Sequence, residues 1–118
     1  MDKFSVTLPL TGEYLTTVRL TTGGLCSLVG FDMDSSEDFK VCVTESLLIL
    51  KRNGYTSATI DFTVGEALGC EVRGKDYSGE KEDAVEDEIS YALLSALLGD
   101  VQIERKENGE VSGIRFEG

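Results

Sequence analysis

Phe4, Val6, Leu8 and Leu10 alternate with Ser5, Thr7 and Pro9, the period-two pattern of a strand with one buried face. Pro9 has no amide to donate to a ladder, so this strand belongs at a sheet edge or ends there. From Thr11, which is available as an N-cap, Leu15, Val18, Thr22, Leu25, Cys26 and Val29 recur at helical spacing. Gly23 and Gly24 each weaken such a helix by about 1 kcal/mol relative to alanine, which points to close packing there. Gly30 and the Asp-Met-Asp-Ser-Ser segment break the pattern. Ser35 or Ser36 then caps a second predicted helix with Phe39, Cys42, Val43, Ser46, Ile49 and Leu50 on one side, and Asn53-Gly54 ends it.

Ala58, Ile60, Phe62 and Val64 alternate again, a Gly-Glu-Ala-Leu-Gly stretch turns the chain, and Leu68, Cys70 and Val72 continue the alternation, which predicts a hairpin. A polar loop around residues 74–83 leads into a third predicted helix with Val85, Ile89, Ala92, Leu93 and Ala96 as its buried stripe. Val101 and Ile103, an Asn108-Gly109 turn, and Ile114 and Phe116 form a second hairpin. The order is strand, helix, helix, strand, strand, helix, strand, strand. It predicts an α+β fold, a two-layer sandwich with a mixed, mostly antiparallel sheet and helices on one face. With no internal repeat and no dividing linker, residues 1–118 are expected to form one domain.

Composition narrows the function. A chain of 118 residues is long enough for one core. Its hydrophobic fraction of 41% is ordinary for a globular protein, and no apolar run nears the roughly 20 residues of a membrane helix. The first residues alternate and lack a signal peptide's apolar block. Cys26, Cys42 and Cys70 are an odd number without metal-ligand spacing, each among apolar neighbours, so they are expected as reduced core thiols in a cytoplasmic protein. Acidic residues number 22 against 11 basic, a net charge of −11. That charge repels nucleic acid and anionic membranes and favours a basic protein partner. The lack of any histidine disfavours catalytic triads and zinc hydrolysis. Phe4, Tyr14, Phe31 and Phe39 are expected to pack.

The stretch VRLTTGGLCSLVGFDMDSSEDFKVCVTESL resembles the opening helices of bacterial anti-sigma factors that double as serine-protein kinases, within the histidine-kinase-like, GHKL-type ATPase superfamily. The shared features are Val18-Arg19-Leu20, Gly24, the Gly30-Phe31 corner, and Glu37-Asp38 followed by Lys40, Val43 and Glu45. ISYALLSALLGDVQIE is similar to that family's final helix and strand, so the likeness runs over nearly the whole chain. The resemblance implies the Bergerat fold. It also implies a second-helix glutamate acting as general base and, one turn later, an asparagine that binds the magnesium of ATP.

Glu45 matches the glutamate, but Ile49 stands at the asparagine position and offers no oxygen to a hard cation. Asn53 lies a further turn along. The family's adenine-binding aspartate corresponds to Gly74, with Asp76 displaced, and its phosphate-cradling Gly-Leu-Gly becomes Glu88-Ile89-Ser90. The preceding loop supplies Glu80, Glu82, Asp83, Glu86, Asp87 and Glu88, which would repel a triphosphate.

The resemblance together with these departures implies a non-catalytic regulator that binds a sigma factor or an antagonist protein, as a homodimer, with no cofactor and a vestigial nucleotide pocket. One alternative is an ATP- and magnesium-dependent serine kinase with Glu45 as the base. Another is a small-ligand sensor using the former ATP cavity beside Glu45 and Asn53. Neither nucleic acid nor membrane is expected as a partner.

Overall fold

The computed structural model describes residues 1–80 and 84–118. Its elements are β1 (Asp2–Pro9), α1 (Gly12–Leu28), α2 (Met33–Arg52), β2 (Tyr55–Val64), β3 (Leu68–Tyr77), α3 (Ala84–Leu98), β4 (Val101–Arg105) and β5 (Val111–Glu117), in the order that the periodicity predicts. The strands form one sheet in the order β1-β2-β3-β5-β4. Residues 81–83, with Glu82 and Asp83 of the acidic loop, lie outside the described residues. The remainder of the expected 74–83 loop is shorter than the polar composition suggests, because β3 continues through Gly74 to Tyr77.

All four ladders among the described residues are antiparallel, where a mixed, mostly antiparallel sheet was expected. Two connections explain the difference. Between β1 and β2 the chain crosses two helices, an even number, and so returns to the end where β1 finished; Pro9 pairs with Ser57 and the Leu10 amide donates to the Thr56 carbonyl at 2.9 Å. Between β3 and β4 it crosses one helix, so those strands run the same way, but β5 inserts between them and pairs antiparallel with both.

Helix α2 forms the centre of the core. Phe39, Cys42, Val43, Leu47, Ile49 and Leu50 are buried, as are Ala58, Ile60 and Phe62 of β2, Cys70 and Val72 of β3, and Ile114 and Phe116 of β5. Phe39 meets Phe31 and Phe116 edge to face, with centroids 5.8 and 5.2 Å apart, a favoured aromatic geometry. The cap of α2 is Asp32 rather than Ser35 or Ser36: its Oδ1 accepts from the Ser35 amide at 2.8 Å, satisfying one orphan donor of the first turn. Thr11 occupies the N-cap position of α1 without a side-chain cap bond.

Two packing expectations are corrected. Phe4 and Tyr14 are exposed; Phe4 sits on the edge strand with its ring 6.3 Å from that of Phe62. On α3 the predicted stripe is turned outward, with Val85 and Ile89 59% and 65% exposed and Ala92 and Ala96 exposed as well. Ser90 and Leu94 are buried instead, beside the half-buried Asp87, Tyr91, Leu97 and Leu98. Polar bonds to α2, described below, set this rotation. None of the described helices is long and apolar enough to cross a membrane.

The three cysteines are free and buried. Desolvation raises all three thiol pKa values, that of Cys42 to about 12. Because the folded state holds the Cys42 proton more tightly than the unfolded chain does, its contribution to stability is complete below about pH 9 and is lost as pH rises toward 12. A thiol reagent at pH 8 should therefore modify the native protein far more slowly than the urea-unfolded chain, and stability should decline above about pH 9. Gly74 gives a second expectation. A Cβ there would lie 2.4 Å from the Tyr55 ring, so Gly74→Ala should lose about 1–3 kcal/mol through overpacking. Gly69→Ala, with nothing nearer than 3.5 Å, should lose clearly less in the same urea titration.

Candidate functional site

Glu45, Ile49 and Arg52 of α2 and its C-cap Asn53 recur at helical spacing, so they share the face turned toward α3. The Ser90 hydroxyl on α3 donates to Glu45 Oε2 at 2.7 Å. Arg52 donates through Nη2 to Ser90 Oγ at 2.6 Å and through Nε to Asp87 Oδ1 at 2.6 Å. Its Nη1 lies 3.7 Å from Glu86 Oε2. Asn53 Nδ2 donates to Asp87 Oδ2 and to the Ile49 carbonyl, each at 2.8 Å, and Asn53 Oδ1 accepts from the Val111 amide at 3.1 Å. One continuous network thus joins α2, α3 and β5.

Burial makes this network stringent. The Arg52 side chain is 8% exposed and that of Asp87 14%, and a charge removed from water must be paired and hydrogen-bonded. Ile49, at 0% exposure, packs in the core beside it. Ile49 offers a magnesium ion no oxygen, and the side-chain oxygen of Asn53, a further turn along, already accepts from the Val111 amide of β5. Among the described residues no group of three or more His, Cys, Asp or Glu side chains is arranged to hold a metal ion.

Of the residues singled out in the sequence, the fold brings together Glu45, Ile49, Asn53 and Ser90. The other three stand apart from their network. Gly74 lies beneath the Tyr55 ring. Asp76, with φ +56°, accepts from Ser57 Oγ at 2.7 Å while its carbonyl accepts from Thr56 Oγ1. Glu88 is exposed on α3. A concavity of about 870 Å³ lies elsewhere, lined by outward-facing sheet residues that include Lys3, Asp61, Glu71, Arg73 and Arg115, and not by Glu45, Ile49, Asn53 or Ser90.

Sequence reasoning missed Arg52 and Asp87. Arg52 reads as an ordinary cation in the last turn of a helix, and Asp87 as one carboxylate in an acidic run. The seven-residue step from Glu45 to Arg52 was the available signal, since it puts both on one helical face. A second group was missed as well. Lys106 Nζ sits 4.0 Å from the Tyr77 ring centroid and 4.9 Å from that of Tyr55, within cation–π range. The Tyr77 hydroxyl donates to Glu110 Oε1 at 2.7 Å, and that carboxylate raises the Tyr77 pKa. This group clasps the β4–β5 turn to the ends of β2 and β3.

Arg52→Ala should leave Asp87 without its cation and Ser90 without its donor, and cost about 3–5 kcal/mol in a urea titration. Arg52→Met combined with Asp87→Leu should recover much of that loss, because an apolar pair of similar volume carries no desolvation cost.

No protein-family model matches the chain. Serine-protein kinase RsbW of Bacillus mycoides (strain KBAB4) and that of Bacillus cereus (strain B4264) are each 24% identical to it over 127 aligned positions, which cover 90% of this chain and 79% of the relative. The solved structure of the RsbU and RsbW domains of Rv1364c from Mycobacterium tuberculosis matches with a TM-score of 0.73 at 15% identity, over 99% of this chain and 31% of that one. The chain is therefore RsbW-like, similar in sequence to serine-protein kinases of that name and built on the same α+β, GHKL-type fold.

Proposed function

We propose that this chain is an anti-sigma-type regulator that works by binding another protein and has lost catalytic use of its nucleotide site. The observation that carries the reading is the closed network from Glu45 through Ser90, Arg52 and Asp87 to Asn53. A general base must reach the proton it removes, and Glu45 here accepts a hydrogen bond from the chain's own Ser90. Glu80, Glu86 and Glu88 add negative charge around the start of α3, where a triphosphate would have to approach. A small-ligand sensor would need open space beside Glu45 and Asn53, and the full enclosure of Ile49 speaks against it.

In this reading the protein needs no cofactor, pairs as a homodimer in the cytoplasm, and engages a sigma factor or an antagonist of one. The similarity to proteins named serine-protein kinases supports the regulatory setting, and the net charge of −11 favours a protein partner over nucleic acid.

Calorimetric titration with ATP and with ADP in excess magnesium should show no binding tighter than about 100 µM, equivalent to about 5.5 kcal/mol. Ile49→Asn alone should not restore binding, because Arg52 and Asp87 still close the site. Tight binding by the native protein, with phosphoryl transfer to a protein substrate that disappears in Glu45→Ala, would establish the kinase instead.

A further inference from the structure

Helix α3 has two apolar sides. Leu94 is buried toward α2, yet Ile89 is 65% exposed on the opposite side, and Ala92 and Ala96 lie exposed on the same outer stripe with Leu93 half-buried at its margin. A surface helix ordinarily presents polar residues there. The charged residues of α3 are instead confined to its first turns, where Glu86 and Glu88 flank the stripe on either side. No basic residue occupies the last turn.

We infer that the outer face of α3 is a docking surface for a basic amphipathic helix of a partner protein. The inference deepens the partner-binding reading and rests on it, by naming the face used and the chemistry of what it takes. Shape favours a helix. Ala92 and Ala96, four residues apart, let a second helix approach closely, while Ile89 and Leu93 form a ridge that fits between the side chains of that helix. Charge selects the occupant. An apolar stripe flanked by lysine or arginine meets Ile89 at its centre and Glu86 and Glu88 at its rim, and the net charge of −11 speeds the approach of such a segment.

A second copy of this chain is a poor occupant of the same face. Parallel pairing of two α3 helices brings their acidic ends together, and antiparallel pairing sets each acidic end against a last turn with no lysine or arginine, so neither direction offers the charge complement that a basic helix does.

The test uses the full chain and a synthetic amphipathic peptide with leucine on one face and lysine on the other; the control peptide has glutamate in place of lysine. The lysine peptide should bind and the glutamate peptide should not. Ile89→Glu and Ala96→Glu, both at exposed positions and checked for native circular dichroism, should each weaken binding by about tenfold or more. Glu88→Lys should weaken it mainly at low salt. Leu20→Glu, at an exposed apolar position on α1, should leave it unchanged. Equal affinity of the native protein and Ile89→Glu would overturn the assignment, as would equal loss in Leu20→Glu. A native homodimer that Ile89→Glu converts to monomer would also overturn it, by showing that a second copy covers the face. No nucleotide enters the experiment, so its failure is separate from failure of the nucleotide-site reading.

Discussion

The Arg52 guanidinium is the constraint around which the helical layer is arranged. It lies at the end of α2, where a cation suits the helix dipole, but it points inward and is almost wholly removed from water. Such a charge is tolerable only when its donors are matched by acceptors in good geometry. Asp87 and Ser90 supply them from the first turns of α3, so α3 must present that side to α2. The rotation follows from this demand, and with it the outward placement of Ile89 and Ala92.

The same demand explains the state of the proposed vestigial site. Glu45 and Asn53 are polar, partly buried and close to α3, and each would be costly to leave unpaired. Ser90 and Asp87 satisfy them, and Arg52 bonds to both of those partners. Ile49 adds apolar contact where a metal-binding oxygen would stand in the family that the chain resembles. The region thereby acts as a joint between α2, α3 and β5, and its polar atoms are directed at each other.

Beyond the joint, the sheet relies on simpler devices. Two helices between β1 and β2 bring the chain back to its starting end, and the insertion of β5 beside β3 keeps every ladder antiparallel. The β4–β5 turn is held by Lys106 over two tyrosine rings and by the Tyr77 to Glu110 bond. Asn53 connects this clasp to the joint through the Val111 amide. Partner binding at the outer face of α3 would leave both undisturbed.

The order of elements, the inward face of α2, both hairpins and the edge position of β1 were legible in the sequence, because each follows from local periodicity or from a proline or glycine. The likeness to the anti-sigma and serine-kinase family was legible from the spacing of Glu45 and its neighbours, as was the anomaly at Ile49. The face that α3 buries was not legible. Its two apolar stripes are nearly equivalent locally, and the choice between them depends on Arg52, more than thirty residues away in the chain. Gly74 was read as a departure from a nucleotide motif, whereas its structural demand comes from the Tyr55 ring across the β2–β3 ladder. Periodicity reports what a segment prefers to bury. Only the tertiary structure decides which distant charge has to be satisfied, and a buried cation outweighs one more exposed isoleucine.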